Sequence, residues 1–296
     1  MTTSVAVSGT TDDSPRLWTL AASRPFGIRL TAAGAGTPLD AVPVPYLRDL
    51  VREHRIAVLR GFTPPAGASG LEGYARSWGS LLSWPFGNVF DVLAHEEPAD
   101  HVFDTGFMPF HWDGMYREFI PEFQIFHCVE APDGAEGGRT LFCDTTRVLA
   151  AAGPDTVDRW RSVTLGYRNR KMSHYGGVVV SPLIEPHPVL GHPVLRYLEP
   201  VPEGEHVINP PEVNVEGLDD PAAEAALLAA LSAVVRDPAH LLAHRWQSDD
   251  IVVADNYTLL HTREPYRRGV PRHLRRVHVL GDPAQPGRLR PAEAVA

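Results

Sequence analysis

A series of short β-prone segments, separated from one another by Gly, Pro and Asp, limits the possible folds of this sequence more than any other feature. The 296 residues include 28 prolines and 25 glycines, which divide a chain into short strands and loops. No GxGxxG motif follows any of the apolar segments, which disfavours a doubly wound α/β sheet. Strands are predicted at residues 55–62, 122–130, 139–145, 162–168, 192–198, 250–256 and 273–282.

Helical patterns interrupt these strands at only a few places. Helices are predicted at residues 46–54, 71–82, about 145–161 and 219–236. Many short strands with few helices favour a mainly β fold with flanking helices, built on a double-stranded β-helix (jelly-roll) core. The polar start and the Pro/Arg-rich end read as tails. We therefore predict a disordered N-terminal tail at 1–16, a single jelly-roll domain at 17–282 and a C-terminal tail at 283–296.

Composition excludes several classes of function. The net charge of −9 and the lack of long Lys/Arg runs argue against sequence-independent nucleic-acid binding. The apolar run at 225–235 is too short to cross a membrane, and the first sixteen residues do not resemble a signal peptide. Cys128 and Cys143 lack CxxC spacing and are typical of core residues in a reducing compartment. The sequence predicts a cytoplasmic protein with a small-molecule partner, and a homo-oligomer is compatible with it.

The stretch "FHWDGMY" at 110–116 suggests a metal site. Residues i and i+2 of a strand share a face, so His111 and Asp113 could bind one ion together. In a chain with 14 histidines such a triplet is a weak signal by itself, but His261 follows a strongly apolar segment and offers a third ligand. Two imidazoles and one carboxylate suit a non-haem Fe(II) oxygenase with open coordination positions. Zinc is the alternative ion.

Arginines downstream of His261 fit the cosubstrate that such an iron site commonly uses. The far carboxylate of 2-oxoglutarate needs a planar and permanently charged partner, which is Arg. Arg272 lies eleven residues after His261 and Arg276 four residues further, so on a strand these two share a face while Arg275 points away. Thr140 begins the strand after "GAEGG" and can add a hydroxyl donor.

These features together resemble the taurine dioxygenase (TauD/TfdA) family of Fe(II)/2-oxoglutarate oxygenases over roughly residues 45–282. The similar segments occur in the family's order and are "IAVLRGF", "HWD", "GGRTLFCDT", "HPVLGHPVLRYL" and "DDIVVADNYTLLHTREPY…RHLRR". The resemblance implies a jelly roll that uses Fe(II), 2-oxoglutarate and O2. It also implies iron ligands at His111, Asp113 and His261, 2-oxoglutarate binding by Thr140 and Arg272, and Arg276 facing an anionic group of the substrate.

A narrower resemblance concerns the substrate. Where taurine enzymes place polar groups that hold a sulfonate, this chain has "SWPFGN" with Trp84. The stretch "FHWDGMYREFIPEFQIFHCVEAP" is similar to the PvcB type of isonitrile-pathway oxygenases. That similarity implies desaturation or oxidative decarboxylation of a tyrosine-derived isocyano acid in secondary metabolism. Tyr116 and Trp84 are candidates for substrate contact. Related halogenases lack the carboxylate ligand, so Asp113 argues for oxygenase or desaturase chemistry.

Two alternatives stay open from sequence. One is a hydroxylase of the same family that acts on another amino-acid-like carboxylate. The other is a non-catalytic jelly roll, metal-free or zinc-bearing, that binds a small molecule. The complete His/Asp/His set together with Arg272 disfavours the second, because a mere binding protein does not need both ends of a keto-acid site.

Overall fold

The fold, taken from a computed structural model, is described for residues 17–131, 137–170 and 175–290. The N-terminal tail predicted at 1–16 lies outside the described residues, as do the last six residues of the predicted C-terminal tail. Among the described residues the helices are α1 (Val44–His54), α2 (Gly67–Arg76), α3 (Thr145–Ala152), α4 (Pro154–Arg161) and α5 (Pro221–Val235). The strands are β1 (Trp18–Ala22), β2 (Ile28–Ala32), β3 (Ile56–Arg60), β4 (Val89–Val92), β5 (Phe119–Glu130), β6 (Thr140–Asp144), β7 (Thr164–Asn169), β8 (Gly177–Pro182), β9 (Ile184–Pro186), β10 (Pro193–Leu195), β11 (Glu212–Val215), β12 (Leu241–His244), β13 (Ile251–Asp255), β14 (Leu259–Arg263), β15 (His273–Pro286) and β16 (Leu289–Arg290).

The largest sheet has seven strands in the order β1-β2-β3-β13-β5-β15-β4. All neighbours in it are antiparallel except β2 and β3, which are parallel. Strand β13 is buried along its whole length, as expected for an apolar strand in the middle of a sheet. The long pair β5 and β15 places Gln124 opposite His278 and Phe126 opposite Arg276.

A three-stranded sheet, β12-β6-β14, packs against the large sheet. The side chains between the two sheets form one apolar cluster, in which Phe126 of β5 contacts Phe142 of β6 with ring centroids 6.3 Å apart. In the smaller sheet His261 pairs with Phe142 and Arg263 with Thr140. The smaller sheet thereby brings a histidine and a threonine to the region where the two sheets meet.

The remaining strands form a four-stranded sheet, β11-β7-β8-β16, and a two-stranded sheet, β10-β9. Helices α3 and α5 cover a second apolar cluster with these strands, through Val148, Leu228 and Leu231. Helix α5 begins with Asp220, whose carboxylate accepts from the backbone N–H groups of Ala222 and Ala223, as an N-cap does. The prediction of a mainly β fold with flanking helices is confirmed. No helix among the described residues could span a membrane, by length and apolar character together.

Several predicted elements have different bounds. The helix predicted at 71–82 is α2, which ends at Arg76, because Ser80 and Leu82 instead hydrogen-bond to the backbone of β15. The helix predicted at 145–161 is two helices, since Gly153 has φ +75° and Pro154 starts α4. Strand β15 begins at His273 as predicted but continues to Pro286, past its predicted end at 282.

The strand spacing by which His111 and Asp113 were related does not extend over "FHWDGMY" in the structure. His111 forms a single β-bridge with His261, and a turn begins at Asp113. Gly114, the second residue of this turn, has φ +81°, a conformation that a residue with a Cβ rarely adopts.

Candidate active site

Three residues bring metal-binding atoms together where the two sheets meet. Within the described residues, one ligand atom from each of His111, Asp113 and His261 lies within 4.8 Å of the others. His111 Nε2 is 3.8 Å from Asp113 Oδ1, and His261 Nε2 is 3.8 Å from Asp113 Oδ2. This donor set, two imidazoles and one carboxylate with open space on one side, fits Fe(II).

The backbone fixes the two histidines relative to each other. His111 N donates to His261 O at 3.1 Å, and His261 N donates to His111 O at 2.8 Å. The Nδ1–H of His111 also donates to Pro109 O at 2.9 Å. This bond leaves Nε2 of His111 unprotonated in the neutral ring, so that it can bind a metal.

Asp113 is held by its backbone as well as by its side chain. Asn256 accepts from Asp113 N at 2.9 Å and donates from Nδ2 to Asp113 O at 3.0 Å. Gly114 is needed beside it, because a Cβ at that position would lie 2.4 Å from Pro121 Cδ. The side-chain amide of Asn256 therefore sets the position of the chain at the carboxylate.

The Oδ2 atom of Asp113 is surrounded by donors. Gln124 Nε2 donates to it at 2.6 Å, His278 Nε2 lies 2.8 Å away, and Arg276 Nη1 is 2.7 Å away. Burial by itself raises the pKa of Asp113, but Arg276 and the neighbouring histidines outweigh burial and hold that pKa well below its usual value. Asp113 is consequently a carboxylate, the form that binds a metal.

The histidines of the cluster are neutral at physiological pH. Burial lowers the pKa of His111, and burial together with nearby His111 lowers the pKa of His261 well below its usual value. Neutral imidazoles are the form that metals bind. The charge of the three-residue cluster is therefore −1, which favours a divalent cation.

Thr140 and Arg272 form a second polar group near His261. Arg272 Nη2 donates to Thr140 Oγ1 at 3.3 Å and its Nε donates to Gly138 O at 2.9 Å. Burial lowers the pKa of Arg272 to about 10, and among the described residues no carboxylate is one of the groups that influence it. Thr140 precedes Phe142, the partner of His261, by two residues, which is roughly 7 Å along a strand.

This buried cation fits the far carboxylate of 2-oxoglutarate. A buried guanidinium without an anion is costly, and a carboxylate would supply both the charge and the acceptors that it lacks. Gly138, with φ +71°, lets Arg272 approach closely, since a Cβ there would be 3.2 Å from Arg272 Cδ.

An aromatic cavity adjoins His111 and Asp113. Its lining includes His111, Asp113 and Arg276, together with Trp84, Phe86, Phe90, Trp112, Met115, Tyr116 and Tyr175. Thr140 and Arg272 are not part of this lining. The Tyr116 hydroxyl is buried without a hydrogen-bond partner in the described part of the chain, and burial raises the pKa of Tyr116.

The structure thus places most of the residues predicted from sequence either at the cavity beside His111 and Asp113 or at the pair formed by Thr140 and Arg272. Arg276 points to Asp113 and the cavity, whereas Arg275 points away and pairs with Asp91, as the alternation of a strand predicts. Sequence reasoning missed His278, Gln124 and Asn256. His278 was detectable, because it follows Arg276 by two residues on the same strand and therefore shares its face.

Comparison with known proteins agrees with this geometry. Residues 23–278 match the family model described as "Taurine catabolism dioxygenase TauD, TfdA family". The chain is 42% identical over 260 residues to a tyrosine isonitrile desaturase of Pseudomonas aeruginosa, covering 88% of this chain and 89% of that protein. It is 38% identical over 257 residues to a 3-((Z)-2-isocyanoethenyl)-1H-indole synthase of Fischerella ambigua, covering 86% and 93% respectively.

Solved structures give the same result. The crystal structure of PvcB from Pseudomonas aeruginosa superposes with a TM-score of 0.77 at 36% identity, covering 94% of this chain and 98% of that one. A second PvcB structure, described as an Fe, alpha-ketoglutarate dependent oxygenase from an isonitrile synthetic pathway, superposes with a TM-score of 0.75 over 95% of this chain.

Proposed function

The chain belongs to the TauD/TfdA family and is an Fe(II)- and 2-oxoglutarate-dependent oxygenase, and on that premise we propose that it desaturates an isocyano acid derived from tyrosine. The observation that carries the proposal is the cluster of His111, Asp113 and His261 at the end of an aromatic cavity that also contains Arg276. The name of the 42% identical relative, a tyrosine isonitrile desaturase, supports the choice of substrate.

In this proposal one set of residues binds the metal and another binds the cosubstrate. His111, Asp113 and His261 hold Fe(II), while Thr140 and Arg272 hold the far carboxylate of 2-oxoglutarate. When bound, Fe(II) and 2-oxoglutarate supply a two-electron oxidation of a C–H bond with O2 as the oxidant. The burial of Thr140 and Arg272 keeps water from competing for that carboxylate.

The cavity residues would hold the substrate. Arg276, at the cavity surface, presents a guanidinium to the carboxylate of the isocyano acid, and the aromatic side chains of Trp84 and Tyr116 pack against its ring. The benzylic and α carbons then face the metal-binding cluster. The reaction balances as R–CH2–CH(NC)–COO⁻ plus 2-oxoglutarate plus O2, giving R–CH=C(NC)–COO⁻ plus succinate, CO2 and H2O.

Oxidative decarboxylation is the second outcome, and one relative favours it. The Fischerella ambigua enzyme is named for an isocyanoethenyl product, which has no carboxylate. There the substrate anion would take up one proton and release a second CO2 in giving R–CH=CH–NC. Arg276 favours desaturation, because an ion pair stabilises the carboxylate and slows its loss as CO2.

The fold and location of the chain are inferred on the same basis. The face-to-face packing of the seven-stranded and three-stranded sheets supports a jelly-roll core, and so does the similarity to PvcB. Two buried cysteines without a disulfide, Cys128 and Cys143, support a cytoplasmic location.

A substrate screen tests the proposed function. Enzyme with Fe(II), 2-oxoglutarate and O2 is incubated with tyrosine-derived isocyano acid, with tyrosine or with taurine, and succinate is measured. We expect succinate and an alkene only from the isocyano acid, with a slower rate when the benzylic position is deuterated. An alcohol that carries oxygen from ¹⁸O2 at the benzylic carbon would indicate a hydroxylase instead. Absence of turnover with the isocyano acid would refute the substrate assignment.

A further inference from the structure

The two carboxylate oxygens of Asp113 have different surroundings. Gln124, His278 and Arg276 all approach Oδ2, at 2.6, 2.8 and 2.7 Å. No such donor is found on Oδ1 in the described residues. Each oxygen lies 3.8 Å from the Nε2 atom of one histidine of the cluster, Oδ1 from His111 and Oδ2 from His261, so the three donors are what distinguishes them. A carboxylate oxygen with three donors has little electron density left for a cation, so Oδ1 is the better ligand atom.

His278 can support Asp113 only in one tautomer, and Trp84 selects that tautomer. The indole Nε1–H of Trp84 is a donor with no acceptor capacity, and it lies 3.1 Å from His278 Nδ1. His278 Nδ1 must therefore be unprotonated, which places the ring proton on Nε2, facing Asp113. Without the indole N–H, the proton could move to Nδ1, and Nε2 would then present a lone pair to a negatively charged oxygen.

The backbone keeps Trp84 next to His278. Leu82 N donates to His278 O at 3.0 Å, and Leu280 N donates to Ser80 O at 2.8 Å. The segment 80–87 is thus attached to the strand that carries His278, and a reciprocal pair of backbone bonds between Trp84 and Gly87 closes its turn. His278 is 1% exposed and Asp113 7%, so water competes little for these bonds.

Trp84 belongs to the cavity at the same time. Its ring stacks on Phe86 at a centroid distance of 5.7 Å and an angle of 10°, and the guanidinium of Arg117 lies 4.6 Å from its centre. One indole therefore contributes its face to the cavity and its N–H to the support of the carboxylate.

We propose that Trp84 and His278 are positioning residues for iron binding, forming a hydrogen-bonded chain that fixes Asp113 through Oδ2 and leaves Oδ1 for the metal. The inference rests on the proposed role of Asp113 as a ligand, and it gives Trp84 a function beyond contact with substrate. Loss of a partner that orients a metal ligand typically lowers metal affinity about 10- to 100-fold.

The variants are chosen to separate hydrogen bonding from packing. Trp84→Phe keeps an aromatic ring and removes the N–H. His278→Gln keeps a donor for Asp113, while His278→Leu removes it. Trp78→Phe is the matched control, because Trp78 is buried in the apolar cluster with Phe123 and Val277 and its N–H has no hydrogen-bond partner in the described residues.

Two measurements test the proposal. The first is ¹⁵N NMR of histidine-labelled, metal-free protein, in which the His278 signals are identified by their loss in His278→Gln. We expect the Nε2–H tautomer in the native chain and in Trp78→Phe, and a mixture of tautomers in Trp84→Phe.

The second measurement is anaerobic titration with Fe(II) at saturating 2-oxoglutarate, followed by the visible charge-transfer band. We expect the Kd for Fe(II) to rise about tenfold in Trp84→Phe and more in His278→Leu, with partial recovery in His278→Gln.

The outcomes separate this inference from the proposed function. A native chain without the charge-transfer band would refute the iron site itself, whatever the tautomer of His278. Native-like Fe(II) affinity in both Trp84→Phe and His278→Leu would overturn the positioning role and leave the iron site intact. An Nδ1–H tautomer in the native chain would overturn it as well, and that measurement needs no variant other than His278→Gln to identify the signal.

Discussion

Arg276 Nη1 lies 2.7 Å from Asp113 Oδ2, so the arginine proposed to bind substrate is ion-paired with the carboxylate proposed to bind iron. The Nε of Arg276 is buried and has no hydrogen-bond partner in the described residues. The guanidinium thus retains a donor for an incoming carboxylate while one of its ends stays on Asp113.

The first prediction concerns this arginine. Arg276→Gln removes a charge-assisted bond to the substrate, which is worth about 1.5–3 kcal/mol, so KM for the isocyano acid should rise roughly 10- to 100-fold. Steady-state succinate formation measures the change. Arg275→Gln is the matched control, since Arg275 pairs with Asp91 on the outer side of the same strand. Equal effects of the two substitutions would contradict the assignment.

Arg272 is expected to behave differently with and without 2-oxoglutarate. Because burial lowers the pKa of Arg272 to about 10, its charge is unfavourable until an anion arrives. Arg272→Gln should leave Tm in the absence of 2-oxoglutarate unchanged or higher, and should abolish most of the rise in Tm that Fe(II) with 2-oxoglutarate gives the native chain. Differential scanning fluorimetry with and without both additions measures this. A native rise in Tm in Arg272→Gln would show that the anion binds elsewhere.

The proposed metal ligands can be tested without turnover. His111→Ala and His261→Ala each remove one of three ligands, and anaerobic Fe(II) with 2-oxoglutarate should then give no charge-transfer band. His54→Ala, at the end of helix α1, is the control for loss of a histidine. Retention of the band together with full succinate formation in either ligand variant would refute the iron site.

Gly114 provides a test of how the turn positions Asp113. Gly114→Ala meets both a positive φ of +81° and a Cβ position 2.4 Å from Pro121 Cδ, whereas Gly36→Ala meets a similar φ of +80° with nothing within 4 Å. Gly36→Ala should cost about 1–2 kcal/mol, and Gly114→Ala should cost more and also weaken Fe(II) binding. Urea unfolding and the Fe(II) titration measure the two effects. Equal unfolding costs would show that the chain relaxes around the clash.

The stability of the fold should depend on pH through a buried pair. Arg60 Nε and Nη2 donate to Asp250 at 2.8 and 2.6 Å. Burial alone raises the pKa of Asp250, but its bonds to Arg60 and His244 outweigh burial, and the net pKa lies below the usual value. This stabilisation is present above the unfolded-state pKa of about 3.9, and it is lost as pH falls through the lower folded-state pKa.

Asp250→Asn removes the carboxylate that pairs with Arg60. At pH 7 this should reduce the free energy of unfolding by about 3 kcal/mol. The difference from the native chain should shrink below pH 4. Urea unfolding between pH 3 and 7 checks both statements, and a difference that does not change with pH would contradict the role of the ion pair.

Much of the site was predictable, because its residues occur in short motifs whose spacing reflects the chemistry. His111, Asp113 and His261 were found from ligand types, and Arg272 and Arg276 from the alternation of a strand. The partners of Asp113 were not found, because they depend on pairing between distant strands. Gln124 lies opposite His278, and a sequence does not state which residues of two strands are paired. Asn256 binds the backbone of Asp113, a contact for which alternation gives no signal.

The sequence predicted the fold class, but it predicted the ends of the helices and strands less well. The mainly β character follows from local composition, but strand ends depend on tertiary hydrogen bonds. Ser80 and Leu82 are not helical, because their backbone groups hydrogen-bond to the backbone of β15. The break at Gly153 and Pro154 carried a local signal, since Pro is favoured in the first turn of a helix.

The reciprocal backbone bonds between His111 and His261 have a consequence for how such an enzyme can diversify. Two of the three proposed ligands are anchored by main-chain atoms, which substitutions elsewhere do not remove. In a directed-evolution library, Phe86 and Phe90 should therefore accept many residues, changing which aromatic acids fit while iron is retained. Trp84 should not, because selection for a new substrate at that position would compete with selection for metal occupancy.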